Sequence, residues 1–116
     1  MIGEFHFGAV DRGLPSTGIT GVASQEDRGR AYRTYVEHGL SRNELIGVHY
    51  FQWLDQPVFG RFDGENYNIG VLSIGHTPYE ELVESMVQTN LNIYEIITGE
   101  IPVYSDSVAT IPPIFF

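Results

Sequence analysis

The sequence contains no cysteine and no lysine, and only one tryptophan, Trp53. Without cysteine there is no thiolate metal site, and the chain carries no mark of its redox compartment. Nowhere does an apolar run approach the roughly 18 residues of a membrane-crossing helix. With lysine missing, six arginines face fifteen acidic residues, and the formal charge is −9. That sign disfavours nucleic acid and anionic membrane surfaces as partners, since both are negative themselves. A neutral ligand such as a polysaccharide is not repelled. Low-complexity segments and signal-peptide features are also missing. Met1 leads straight into Ile2-Gly3-Glu4-Phe5-His6-Phe7, which reads as a buried strand and not as a leader. That opening sets the expectation of a truncated piece of a longer protein.

What is present describes one small domain: 116 residues, 42% of them apolar, enough for a packed core. Ile2 to Phe7 is a short apolar run interrupted by Glu4 and His6, a strand pattern. Gly8 to Val22 follows as a turn-rich loop with Gly8, Gly13, Pro15, Gly18 and Gly21. Ser24 has the character of an N-cap, with Glu26 and Asp27 placed in the first turn. The spacing predicts a helix over 25–38, with Ala31, Tyr32, Tyr35 and Val36 as its apolar stripe and Gly39 as C-cap. Leu45 to Trp53 reads as a second buried strand, followed by a polar loop to Tyr67 and a hairpin-like strand over 69–74. Thr77-Pro78-Tyr79-Glu80 predicts a capped helix start, and one helix is expected to run on to Gly99. The remaining residues, 100–116, contain three prolines and read as an irregular tail. Strand, loop, helix, strand, loop, helix is an α/β order that implies parallel pairing. In α/β barrels the loops after such strands build the active site.

Two polar clusters fall in those positions. Glu4 and His6 lie in the first strand, with Asp11 and Arg12 in the loop beyond. His49, Gln52, Trp53, Asp55, Gln56, Arg61, Asp63, Glu65 and Asn66 lie in and after the second. A carboxylate in an apolar strand is costly unless paired, so Glu4 is either a functional group or a structural acid held by Arg61 or Arg12. His6, His49 and Glu4 are suitable metal-ligand types, but no HxH or HExxH spacing supports a metal site. Imidazoles that orient a carboxylate or a sugar hydroxyl are the better reading, and neither metal nor cofactor is assigned. Trp53 beside polar residues serves either sugar stacking or packing. The stretch Gly64 to Asn68 reads as a specific polar loop or as an ordinary Asx-type turn. Tyr79 and Tyr94 are assigned to packing.

Gly3 to Ala9 (Gly-Glu-Phe-His-Phe-Gly-Ala) resembles the seventh-strand segment of the β-agarases of glycoside hydrolase family 50. Gly47 to Pro57 (Gly-Val-His-Tyr-Phe-Gln-Trp-Leu-Asp-Gln-Pro) resembles their eighth strand and its exit, and Gly60 to Gly70 is similar to the loop that follows. The helix starts at Ser24-Gln25, with Arg28, and at Thr77-Pro78-Tyr79 also fit, so the likeness runs from Ile2 to Thr98. It departs at Tyr50, where tryptophan is expected, and in the proline-rich tail.

The resemblance implies that residues 1–99 are the last two strand–helix units of a (β/α)8 TIM barrel, an incomplete barrel, since a whole one takes roughly 250 residues. It implies a retaining hydrolase acting on β-galactosidic bonds of an agarose-type galactan polysaccharide or oligosaccharide. Glu4 maps onto the nucleophile. His6, His49, Gln52, Trp53, Asp55, Arg61, Glu65 and Asn66 are the candidate sugar-binding residues, with Arg61 and His6 the support for Glu4. The acid/base glutamate has no counterpart in the chain, so the isolated chain is expected to be inactive and to need the N-terminal part of its barrel. A parent acting on a polymer is expected to be secreted or periplasmic. The alternative is a non-catalytic carbohydrate-binding module, which would usually be an antiparallel β-sandwich.

Overall fold

The structure is a computed structural model that describes residues 1–115. Two parallel strands, β1 (Ile2–Phe5) and β3 (Val48–Tyr50), are joined through helix α1 (Gln25–Leu40). Ile2 pairs with Val48 and Phe5 with Tyr50, across a register irregularity. Helices α2 (Glu80–Leu91) and α3 (Ile93–Thr98) follow, and α1 packs mainly on α2. A second small sheet, antiparallel, pairs β2 (Gly21–Val22) with β4 (Thr110–Ile111). No β-sandwich is present among the described residues, and no helix is long and apolar enough to cross a membrane.

Helix α1 starts where its chemistry directs. The Ser24 hydroxyl accepts from the Asp27 amide, and Glu26 and Asp27 complement the positive helix end. Its buried Tyr32 and Val36 meet Val71, Tyr79 and Leu82 in the main core, against which Phe5, Val48 and Tyr50 pack. At Gly29 a Cβ would lie 2.4 Å from Ser85 Oγ, so the α1–α2 crossing needs a residue without a side chain there. A smaller cluster of Ala9, Val22 and Ala31 lies under the first loop.

Several boundaries differ from the sequence reading. The expected helix cap at Thr77 does not form. Ser73 and Thr77 bond one another, Tyr79 is the N-cap without a side-chain bond, and Pro78 precedes the helix instead of opening it. The long helix breaks at Asn92, whose side-chain amide donates to the Gln88 carbonyl at 2.8 Å and competes with the backbone ladder. At the end of α1, Gly39 stays helical and Ser41 is the C-cap. The strands are shorter than the apolar runs, and the stretch 69–74 makes isolated bridges of Leu72 with Leu54 and Pro78 in place of a hairpin. Tyr94 is exposed, not packed. The tail, expected to be irregular, supplies β4 and a further bridge from Ile114 to Gly18; Phe116 lies outside the described residues.

Candidate functional site

Glu4 stands near the C-terminal end of β1, exposed to solvent and not buried as the apolar run implies. It forms no ion pair with Arg61 or Arg12. Arg12 instead pairs with Glu81 on α2, and Arg61 bridges Asp63 and Glu65, both at 2.6 Å. The structural alternative for Glu4, an acid held by arginine, therefore has no partner among the described residues. Glu4 lines a cavity of about 500 Å3 together with His6, Ile19, Phe51, Arg61, Glu65, Tyr67 and Phe115. It also borders a neighbouring cavity of about 240 Å3 with Phe5, His6, Phe7 and Tyr35. Parallel pairing of β1 with β3 puts the exits of both strands at one end, so loop residues some sixty positions from Glu4 in the sequence reach the same space.

The second loop presents Arg61 and Glu65 to that cavity through a stack of internal bonds. Gln56 is buried; its amide donates to Glu65 Oε2 at 2.8 Å, and its carbonyl oxygen accepts from the Tyr67 amide. The Arg61 guanidinium, hydrogen-bonded to Asp63, holds that carboxyl below its usual range. Asp55 plays a different part from the one expected of it. Its carboxylate accepts from the Gly70 amide, from Asn68 Nδ2 and from the Tyr79 hydroxyl, so it points into the protein and organises the loop instead of facing a sugar. Burial and the Asp55 carboxylate push the Tyr79 phenol far above its usual range. Asn66 is likewise taken up by the loop, accepting from Ser16 Oγ at 2.7 Å and donating to the Val58 carbonyl. Trp53 is 67% exposed and lies off the cavity wall, as do His49 and Gln52. Of the nine expected site residues, the cavity gathers Glu4, His6, Arg61 and Glu65. Among the described residues no three histidine or carboxylate side chains cluster as a metal site would require.

His6 is 6% exposed and locked by the first loop. Its Nε2 accepts from the Ile19 amide at 3.0 Å, which places the ring proton on Nδ1, and Nδ1 is buried without a partner. Gly18, at φ +73°, sits directly on the ring; a Cβ there would lie 2.5 Å from Nε2. Burial lowers the His6 pKa, Glu4 and Glu65 oppose that shift, and Arg28 adds to it. An unfolded histidine takes up its proton near 6.5 and the folded one only at lower pH, so between those points the unfolded state holds more protons. The contribution is intact above pH 6.5 and is lost as pH falls through the window below it. A His6→Gln chain should show a shallower decline of its urea midpoint through that window than the parent. Equal slopes would contradict the buried neutral ring.

The sequence reading treated Arg28 only as part of a helix start. It is 0% exposed and is the hub of the molecule. Its Nε donates to the Phe7 carbonyl at 2.7 Å, Nη1 to Gln25 Oε1 at 2.7 Å, and Nη2 to the Gly70 carbonyl at 2.6 Å and the Tyr50 hydroxyl at 3.1 Å. Gln25 in turn binds Asp11 and Asn68. One side chain thus ties the exit of β1, helix α1, β3 and the second loop together, and so sets the two halves of the cavity against each other. The available signal is position: Arg28 falls at helical spacing with Tyr32 and Val36 on the face that turns inward, whereas Tyr35, expected in the same stripe, is exposed.

No family model matches the chain. Over 95 residues, 81% of its length, the chain is 46% identical to β-agarase B of Vibrio sp. strain JT0107, and it spans 10% of that protein. A solved agarase structure matches 81% of the chain with a TM-score of 0.79 and 41% identity, the chain covering 15% of it. A solved exo-β-agarase matches 83% of the chain with a TM-score of 0.79 and 41% identity, the chain covering 13% of it. The chain is therefore homologous to β-agarases over a small part of their length.

Proposed function

We propose that the chain is the closing portion of a retaining, galactan-cleaving hydrolase barrel of the β-agarase type in glycoside hydrolase family 50, with Glu4 as its nucleophile. The observation that carries this reading is the position of Glu4. It is an exposed carboxylate with no partner among the described residues, at the exit of a parallel strand, on the wall of a cavity that both strand-exit loops help to build. The likeness to β-agarases across four-fifths of the chain supports it. So does the open sheet: β1 and β3 each have one neighbour among the described residues, which leaves an edge on either side for further barrel strands.

The chemistry needs two carboxyl groups about 5–5.5 Å apart. Glu4 attacks the anomeric carbon as the glycosidic C–O bond breaks, and an acid elsewhere in the barrel protonates the departing oxygen. Water, deprotonated by that same second group, then releases the sugar from Glu4. Glu65 is committed to Arg61 and Gln56 and does not fill the acid role. The acid/base group therefore belongs to a part of the barrel outside these residues. Arg61, paired with Asp63 and Glu65, brings positive charge to the cavity that Glu4 lines, whereas the buried His6 accepts from the Ile19 amide and donates nothing to Glu4. A polymer substrate too large to cross a membrane places the parent protein outside the cytoplasm.

The pure 116-residue chain should release no reducing sugar from agarose or galactan oligosaccharides, because one carboxylate cannot both attack and protonate. The same chain joined to the preceding six strand–helix units of a relative should do so. Turnover by the chain alone that survives repeated purification would contradict the assignment of roles.

A further inference from the structure

The proposed catalytic reading leaves the tail unused. After α3, its path is fixed at point after point. The Tyr104 amide donates to the buried Glu37 carboxylate at 2.7 Å, and the Tyr104 ring lies under Arg33 at 4.0 Å. Ala109 accepts from the Ala23 amide, and β4 pairs with β2. The Ile114 carbonyl then accepts from both the Thr17 and Gly18 amides, while its own amide donates to Thr17 Oγ1 at 2.9 Å. This strap climbs from the far end of α1 to the first active-site loop. It ends by setting Phe115 against Tyr67, with ring centroids 6.3 Å apart, on the wall of the Glu4 cavity.

Phe115 meets the buried Tyr67 edge-on, with the ring planes 62° apart, and is itself 43% exposed. The same cavity is lined by Glu4, Arg61 and Glu65. An aromatic ring and polar side chains in one cavity suit a pyranose, which has an apolar C–H face and a hydroxylated rim. We infer that residues 100–115 are a strap that completes the sugar site, with Phe115 the stacking platform for a neutral galactose ring held beside Glu4. The inference rests on the galactan reading above and adds to it a binding and specificity residue drawn from the tail.

The 15N-labelled chain is titrated with an agarose-derived tetrasaccharide, with maltotetraose as control, and saturation transfer is read at the ring protons of Phe115. The galactan should shift amides around Glu4 and His6 and contact Phe115. Phe115→Ala and Phe115→Leu should weaken binding about three- to tenfold, and Phe115→Trp should restore it. The leucine variant matters because it keeps an apolar side chain beside Tyr67 but has no flat face, and an unchanged urea midpoint checks the fold. If the leucine variant binds like the parent while amides near Glu4 still shift, the platform is overturned and the galactan reading stands. Contact of Phe115 with maltotetraose and not with the galactan would uphold the platform and overturn the galactan reading. Silence toward both saccharides would overturn the platform.

Discussion

Arg28→Met should cost about 4 kcal/mol of stability, a large share of the 5–15 kcal/mol typical of a domain. The size follows from what remains after the guanidinium is removed. The buried Gly70 carbonyl and Gln25 Oε1 lose their donor outright, while the Phe7 carbonyl and the half-buried Tyr50 hydroxyl lose the guanidinium but keep their bond to each other. Each buried acceptor left unmade costs about 1–3 kcal/mol, and methionine fills the volume without answering any of them. Among the described residues Arg28 has no ion-pair partner, so no carboxylate is stranded by the change, and the effect comes from lost hydrogen bonds together with the guanidinium's contact over the Tyr79 ring at 5.2 Å. Arg28→Lys should recover little, because a single ammonium cannot reach four acceptors spread across a planar fork. Urea denaturation followed by circular dichroism reads the change. A loss under about 1 kcal/mol would mean that Arg28 is not the hub that joins the two loops.

The second large effect concerns chemistry and leaves the fold alone. In an assembled barrel, Glu4→Gln should lower kcat by about a thousandfold or more, since an amide forms no glycosyl ester. KM should move little, because glutamine has the same shape. The chain's urea midpoint should not change, because Glu4 is exposed and holds no other residue in place. A kcat within tenfold of the parent would remove Glu4 from the mechanism.

How far this molecule could be read from its residues depends on whether each signal is local. Helix α1 was legible because Ser24, Glu26 and Asp27 state its start within four residues. The parallel pairing of β1 with β3 followed from the alternation of strand and helix. Asn92 was overlooked because an asparagine at helical spacing resembles any exposed position until its side chain is seen to bond the Gln88 carbonyl. The β2–β4 pair could not be seen at all. Two-residue strands have no period, and their partners stand almost ninety positions apart.

The site divides along the same line. Glu4, His6, Arg61 and Glu65 were chosen because polar groups at strand exits need a reason to be there, and the cavity brings them together. Asp55 and Asn66 were chosen by the same rule but serve the loop itself, since a long polar loop must satisfy its own backbone before it can serve a ligand. Phe115 had no local signal, because what matters about it is where Thr17 and Gly18 anchor the tail.

Everything functional here depends on a covalent bond between Glu4 and a sugar. An assembled barrel treated with a 2-deoxy-2-fluoro galactosyl substrate bearing a good leaving group, digested and weighed by mass spectrometry, tests that bond directly. The account predicts one added fluorosugar on the peptide containing Glu4 and none on the Glu4→Gln protein. A label on another carboxylate, such as Glu65, would contradict it.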